Sequence, residues 1–379
     1  MTIWKPTLFA LLLGLCATAS QAQIRIGGLL ETSGPIASLG QPTLEGAQLA
    51  VDQVNAAGGI DGQQVTLVNL NTESDNTKAV SATRRLLSQE KVSAIIGPSS
   101  SGSNFAVVDA IERARVPLMA NGASRGIVLP AEKRRYAFLA PLTDMVVLSV
   151  MLDDMKAQGV SSLALLHSDV AFGTSGRDTL QQLVKERGMT LAAVEVFGSA
   201  DTDMTPQLTK IRGSGAQATV IWATGPGLAI ATRNHRALGI DSPLYLTHAA
   251  NDFNYLRLAG DAANGIRLPS SKIYVTDSLP ADDPQKPVLE RFVKEYQQKY
   301  GRMPATFAGN GYDSAMLLMQ AIKAAGSTDA PAVRDALEGT RDYVGVTAVY
   351  SYAPEDHFGT QPSSVRMLTV KDGAFALAQ

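Results

Sequence analysis

The chain has 379 residues, 18% of them charged, with a formal net charge of −2 and a single cysteine, Cys16. Positive and negative residues are interspersed and there is no basic block, which argues against nucleic acid as a partner. With one cysteine the chain can close no internal disulfide, so a hydrophobic core must stabilise it, and this length usually means two domains.

Residues 1–22 read as a secretory signal. Lys5 supplies the basic start, Thr7 to Ala19 the apolar stretch, and Ser20-Gln21-Ala22 the small residues before a cleavage point. The stretch is too short for a transmembrane helix, and no other run of about 18 apolar residues occurs. Cleavage after Ala22 is expected, and it removes Cys16. Lipid attachment at Cys16 is disfavoured because Leu15 stands where a small residue is required.

From Ile24 to about Leu268 the pattern alternates strand and helix. Ile24 to Leu30 reads as a strand, and the turn Ser33-Gly34-Pro35 leads to a helix with Leu44, Ala47, Val51 and Val54 on one face. Gly58-Gly59 should stop that helix. Gln64 to Leu70 is the next strand, and Asp75 caps a helix running to Gln89. Val92–Ile96 and Val116–Ala120 are strands, with a helix from about Ser103, as its cap, to Arg113 between them. The connections are long enough for right-handed crossovers, which predicts a parallel sheet.

The alternation restarts at Leu142. Met145, Leu148, Leu152 and Met155 form a helical stripe, followed by strand 162–166, helix 173–186 and strand 191–197. A strand over 218–223, a helix to about Leu238 and a strand over 244–247 come next. Beyond Pro269 a Pro- and Asp-rich loop precedes two helices, one carrying Val288, Phe292, Tyr296 and Tyr300, the other Tyr312, Ala315, Met319 and Ile322. Val346–Tyr352 and Val365–Val370 read as strands paired with each other. The fold class this implies is α/β, with two Rossmann-like lobes and a cleft between them.

Two polar loops carry the functional signal. Gly97-Pro98-Ser99-Ser100-Ser101-Gly102 and Asn121-Gly122-Ala123-Ser124 each follow a predicted buried strand, at the sheet edge where ligands bind in open α/β folds. Helix N-termini there offer unpaired N–H groups to an anion. Ser101 and Ser124 are placed to add hydroxyl hydrogen bonds to a carboxylate. Capping alone would account for one such loop better than for two at neighbouring strand ends.

Catalytic patterns are missing. There is no G-x-G-x-x-G after the first strand, no P-loop and no G-x-S-x-G, and the four histidines lack metal-ligand spacing. A binding protein that needs no cofactor or metal and leaves its ligand unchanged is expected, rather than an enzyme.

At these residues the chain resembles the periplasmic solute-binding proteins of the branched-chain amino acid ABC-transporter family, Leu/Ile/Val-binding-protein-like, of type I fold. The resemblance spans the mature chain. It rests on the ordered set Thr32 to Gly40, Asn55 to Ile60, Ile95 to Pro98 with its serines, Gly122-Ala123-Ser124, His167 to Gly173 and Gly311 to Ala315. It implies lobes over about 23–141 plus 271–345 and 142–270 plus 346–379, joined by a three-strand hinge that closes on ligand. It also implies a periplasmic monomer that serves the permease of an ABC importer. A ligand-sensing module feeding a receptor is the rival within the same fold.

In relatives, positions matching Ser101, Gly122 and Ser124 hold the amino acid's α-groups, with Ala123 between them. The position of Phe172 closes over the ligand, and that of Leu39 lines its side-chain pocket. Two departures matter. His248 falls nearest the position where amino-acid binders carry an acidic partner for the ammonium, although Asp252 or Asp313 could stand in for it. The aromatic residue expected after Ala223 is replaced by Thr224-Gly225-Pro226-Gly227. Both changes point from an amino acid toward a larger apolar carboxylate, with aromatic acids first. Ser101, Gly122, Ala123, Ser124, Phe172, Thr224, His248 and Leu39 are therefore the expected ligand contacts, and branched-chain amino acids the alternative ligands.

Overall fold

The computed structural model describes residues 23–379; the signal expected over 1–22 lies outside them. The first sheet is five-stranded and wholly parallel. It comprises β1 (Ile24–Gly28), β2 (Val65–Asn69), β3 (Ala94–Ile96), β4 (Leu118–Ala120) and β5 (Ala137–Leu139), in the order β2-β1-β3-β4-β5. Helices α1 (Ala37–Ala56), α2 (Asn76–Arg85) and α3 (Ser101–Ala114) make the crossovers.

Local chemistry sets their ends. Gly58 and Gly59, at φ of +101° and +78°, turn the chain out of α1. The Asp75 carboxylate caps α2 by accepting from the Lys78 N–H at 2.8 Å.

The second lobe contributes α4 (Asp144–Ala157), β6 (Ser162–Ser168), α5 (Ala171–Glu186), β7 (Thr190–Phe197), α6 (Thr205–Gly213), β8 (Ala218–Trp222), α7 (Pro226–Ala237), β9 (Leu244–Leu246), α8 (Phe253–Ala259) and β10 (Arg267–Ser270). Further on come α9 (Lys286–Tyr300), α10 (Thr306–Ala325), α11 (Ala330–Glu338), the short β11 (Tyr343–Val344) and β12 (Val349–Tyr350), and finally β13 (Arg366–Lys371) and β14 (Ala374–Leu377). The second sheet runs β14-β13-β10-β9-β8-β6-β7, with β13 and β14 antiparallel.

The α/β fold class expected from the pattern is the one observed, two lobes with parallel central sheets. The chain passes between the sheets three times, at 140–143, near 271 and around 359–365. Helix α10 returns to the first lobe by lying tightly on α1. A Cβ at Gly46 would stand 1.8 Å from the Ala308 carbonyl oxygen, and one at Gly311 1.8 Å from that of Thr43.

Several expectations need correction. The strands over 346–352 and 365–370 do not pair with each other. β12 pairs with β11, while β13 joins β10 and folds back as a hairpin on β14 through Asp372-Gly373, both at positive φ. The segment 346–358, expected in the second lobe, packs on the first: Tyr350 donates to the Ala140 carbonyl at 2.7 Å, and His357 stacks on Phe138 at 3.9 Å between centroids. β5, α6, α8 and α11 had no predicted counterpart. The cap of α3 is Ser100, whose hydroxyl accepts from the Ser103 N–H at 3.0 Å, and not Ser103 itself.

Candidate functional site

The two polar loops stand side by side at the carboxyl ends of β3 and β4. Both border a cleft of about 600 Å³ that opens between the lobes. Helix α3 points its first turn into this cleft. Ahead of it the buried Glu31 carboxylate accepts from the Ser99 N–H at 3.0 Å and the Ser100 N–H at 3.4 Å, which braces the loop from behind. Burial pushes the Glu31 carboxyl pKa up, and these N–H bonds hold it down in part. The N–H groups of Ser101 and Gly102 follow in the first turn, where a helix has no acceptor of its own to offer.

Six of the eight expected contacts line the cleft: Leu39, Ser101, Ala123, Phe172, Thr224 and His248. Gly122 and Ser124 sit behind that wall. Ser124 is fully buried and donates to the Ser101 hydroxyl at 2.9 Å, leaving the Ser101 proton free for something else. A Cβ on Gly122 would come within 3.0 Å of the Ser101 Cα, so glycine lets the two loops touch. These two residues shape the edge that Ser101 presents.

The opposite wall is aromatic. Phe172, in the first turn of α5, stacks on Trp222 with ring centroids 5.3 Å apart and planes 20° apart. The Trp222 indole N–H donates to the Phe172 carbonyl at 3.2 Å and fixes the pair. His248 meets both rings at 5.8 Å. Burial pulls its pKa down to about 4, so the imidazole is neutral at physiological pH and supplies no charge of either sign. Gly225, at φ +69°, brings the Thr224-Gly225-Pro226 turn against the first lobe, where its missing Cβ would lie 3.5 Å from the Pro35 carbonyl oxygen.

Neither aspartate suggested as an ammonium partner lines the cleft. Asp252 caps α8 by accepting from the Asn254 N–H at 3.0 Å. Asp313 is fully buried and accepts from the Val346 and Thr347 N–H groups at 2.8 and 2.7 Å and from the Tyr350 hydroxyl at 3.0 Å. Its carboxylate holds the 346–358 segment to α10. Among the described residues lining the cleft, Asp75 is the one acidic side chain, and it is exposed and spent on capping α2.

Asn121 entered the sequence reading only as the first residue of the second polar loop, and Asn310, Phe307 and Ser168 were missed as contacts; all four line the cleft. Asn121 opens the second polar loop and Asn310 precedes Gly311. Nothing in the local spacing of Asn310, Phe307 or Ser168 separates them from ordinary loop and helix residues.

A hinged pair of lobes around a cleft of hydroxyls, helix N–H groups and aromatic faces defines a solute-binding protein. The chain belongs to the periplasmic binding protein family, whose model matches residues 23–374. It is 26% identical over 374 residues to Leu/Ile/Val-binding protein homolog 7 of Brucella suis biovar 1 (strain 1330), covering 96% of this chain and 92% of that one. Among solved structures, an extracellular ligand-binding receptor from Rhodopseudomonas palustris HaA2 superposes with a TM-score of 0.87. It shares 28% identity, and the match covers 94% of this chain and all of the other. The branched-chain amino acid transporter substrate-binding protein LivJ of Streptococcus pneumoniae, in complex with isoleucine, gives 0.81 at 28% identity, covering 94% and 99%.

Proposed function

We propose that this protein is the substrate-binding component of an ABC importer, exported to the periplasm, and that it captures a small apolar carboxylate for delivery, unchanged, to permease subunits. An aromatic acid is the first candidate. Ser101 and the first-turn N–H groups of α3 take the carboxylate, with Ser124 and Gly122 supporting Ser101. Phe172, His248 and Leu39 enclose the apolar body, and Thr224 closes the second-lobe wall. The lobes comprise 23–141 with 271–358 and 142–270 with 359–379.

One observation carries the ligand class: among the described residues, the cleft wall has no buried carboxylate. His248, nearest the position of an ammonium partner, is neutral and adds no charge. A buried ammonium without a charged partner is costly, whereas a carboxylate at a helix N-terminus is favourable. The isoleucine complex of the pneumococcal relative favours the second reading, a branched-chain amino acid.

A thermal-shift panel separates the two, because a ligand that binds only the native state adds about 2.7 kcal/mol of stability at a hundredfold excess over Kd. Aromatic and aliphatic acids should raise the melting temperature more than leucine or isoleucine. A larger shift with either amino acid overturns the carboxylate-only reading.

A further inference from the structure

Glu31 places a buried carboxylate on the same run of N–H groups that a ligand carboxylate would use. It has no exposed surface, and behind the α3 loop its Oε2 accepts from the Ser99 N–H at 3.0 Å and its Oε1 from the Ser100 N–H at 3.4 Å. The next two N–H groups, those of Ser101 and Gly102, are the ones left for a ligand. Successive Cα atoms are about 3.8 Å apart, so a carboxylate held there stands within about 10 Å of Glu31.

No cation screens one charge from the other. Among the described residues lining the cleft there is no lysine or arginine. On the elements packed around Glu31, Arg25 of β1 pairs with Glu90, Glu45 of α1 pairs with Arg302, and Asp75 caps α2. Helix α3 carries no charge before Asp109. Burial already favours the neutral form of Glu31, and a second negative charge nearby favours it further. A proton costs least on Oε1, the more weakly held oxygen. The Ser99 hydroxyl bears on the same carboxyl and has no other partner among the described residues, so an acceptor for the new O–H is in place.

We propose that Glu31 takes up a proton from solvent as the ligand carboxylate binds, so that the protein captures an acid anion together with one proton. This rests on the carboxylate reading above. The sign follows from linkage: the loaded protein has the higher Glu31 pKa, so affinity starts to rise as pH falls through that value. The gain is complete below the pKa of the empty protein. Two unit charges about 10 Å apart at an effective dielectric of about 20 make the whole gain about tenfold.

The test is calorimetric titration of the protein over residues 23–379 with phenylacetate, benzoate and 4-methylpentanoate, from about pH 8 down to about pH 5.5, where these acids stay ionised. Affinity should rise about tenfold across that range. Repeating one intermediate pH in buffers of different ionisation enthalpy should show net proton uptake on binding. Glu31→Gln, neutral at every pH, should bind with an affinity that does not depend on pH and should exchange no proton. Uptake that survives Glu31→Gln belongs to another group, His248 or Asp75 on the cleft wall or the buried Asp313, and overturns the assignment. If Glu31→Gln does not fold, infrared difference spectra of the parent decide. Ligand should bring up the carbonyl band of a protonated buried carboxyl, and its absence overturns the assignment. Binding of any of the acids with neither pH dependence nor proton uptake also overturns it and leaves the carboxylate reading standing. Binding of none of the three acids overturns that reading, and this inference with it.

Discussion

Ser101 and Ser124 play unequal parts although they are the same residue type in matching loops. Ser101 lines the cleft, and Ser124 reaches it only through the 2.9 Å bond it donates to Ser101. A hydrogen bond to a charged group contributes about 1.5–3 kcal/mol, so Ser101→Ala should weaken carboxylate binding by tenfold or more. Ser124→Ala removes a bond that polarises and orients Ser101, a smaller effect of a few fold. Isothermal titration of both variants with one acid checks the order; a larger loss at Ser124 would mean that the ligand reaches past Ser101. At this scale the two serine loops were legible because polar residues directly after buried strands have few structural uses. Which hydroxyl faces the ligand was not legible, since it depends on how closely Gly122 lets one loop approach the other.

Helix α7 carries a histidine that works against stability at low pH. His235 is fully buried, neither ring nitrogen has a hydrogen-bond partner among the described residues, and burial pulls its pKa down to about 4. In the unfolded chain an imidazole takes up its proton near pH 6.5. Between those values the unfolded state therefore holds more protons than the folded one, so stability falls as pH drops through that window, by about 3 kcal/mol for this group when the window is crossed. Replacing His235 with leucine removes both the titration and two unsatisfied nitrogens. Urea denaturation at pH 7.5 and 4.5 should show His235→Leu losing less stability than the parent over that interval. An equal loss in both proteins would show that His235 does not titrate as its burial requires.

The helices with clean apolar stripes, α4, α9 and α10, were legible from sequence, as was the parallel strand order implied by the long crossovers through α1, α2 and α3. β5 was not: Ala137–Leu139 is as short as β3 and β4, but no crossover helix leads into it, only the short turns at Arg125–Ile127 and Ala131–Lys133. The misplacement of 346–358 has a similar origin. That segment is held to α10 by Asp313 and to Phe138 by His357, and neither contact leaves a periodic trace.

Across the whole molecule, the two lobes stand close on the side of the cleft where α3 faces α5. Arg125 of the first lobe donates to the Gln182 side-chain oxygen of the second at 2.8 Å. A Cβ built on Gly102 would lie 4.0 Å from the Ala171 Cβ across the same gap. That spacing falls within the range a disulfide spans, about 3.5–4.5 Å between Cβ atoms. No residue after Cys16 is a cysteine, so a Gly102→Cys, Ala171→Cys pair has no competing thiol within residues 17–379. If the lobes open to admit ligand and close to hold it, oxidising this pair after loading should trap the ligand. Release measured by competition should then slow by orders of magnitude and recover with reductant. Oxidation before loading should instead exclude the ligand. A crosslink that forms readily yet leaves exchange unchanged in both orders would mean that ligand enters without separation of the lobes. The cleft would then be a preformed pocket, and closure could not be what couples occupancy to recognition by a permease.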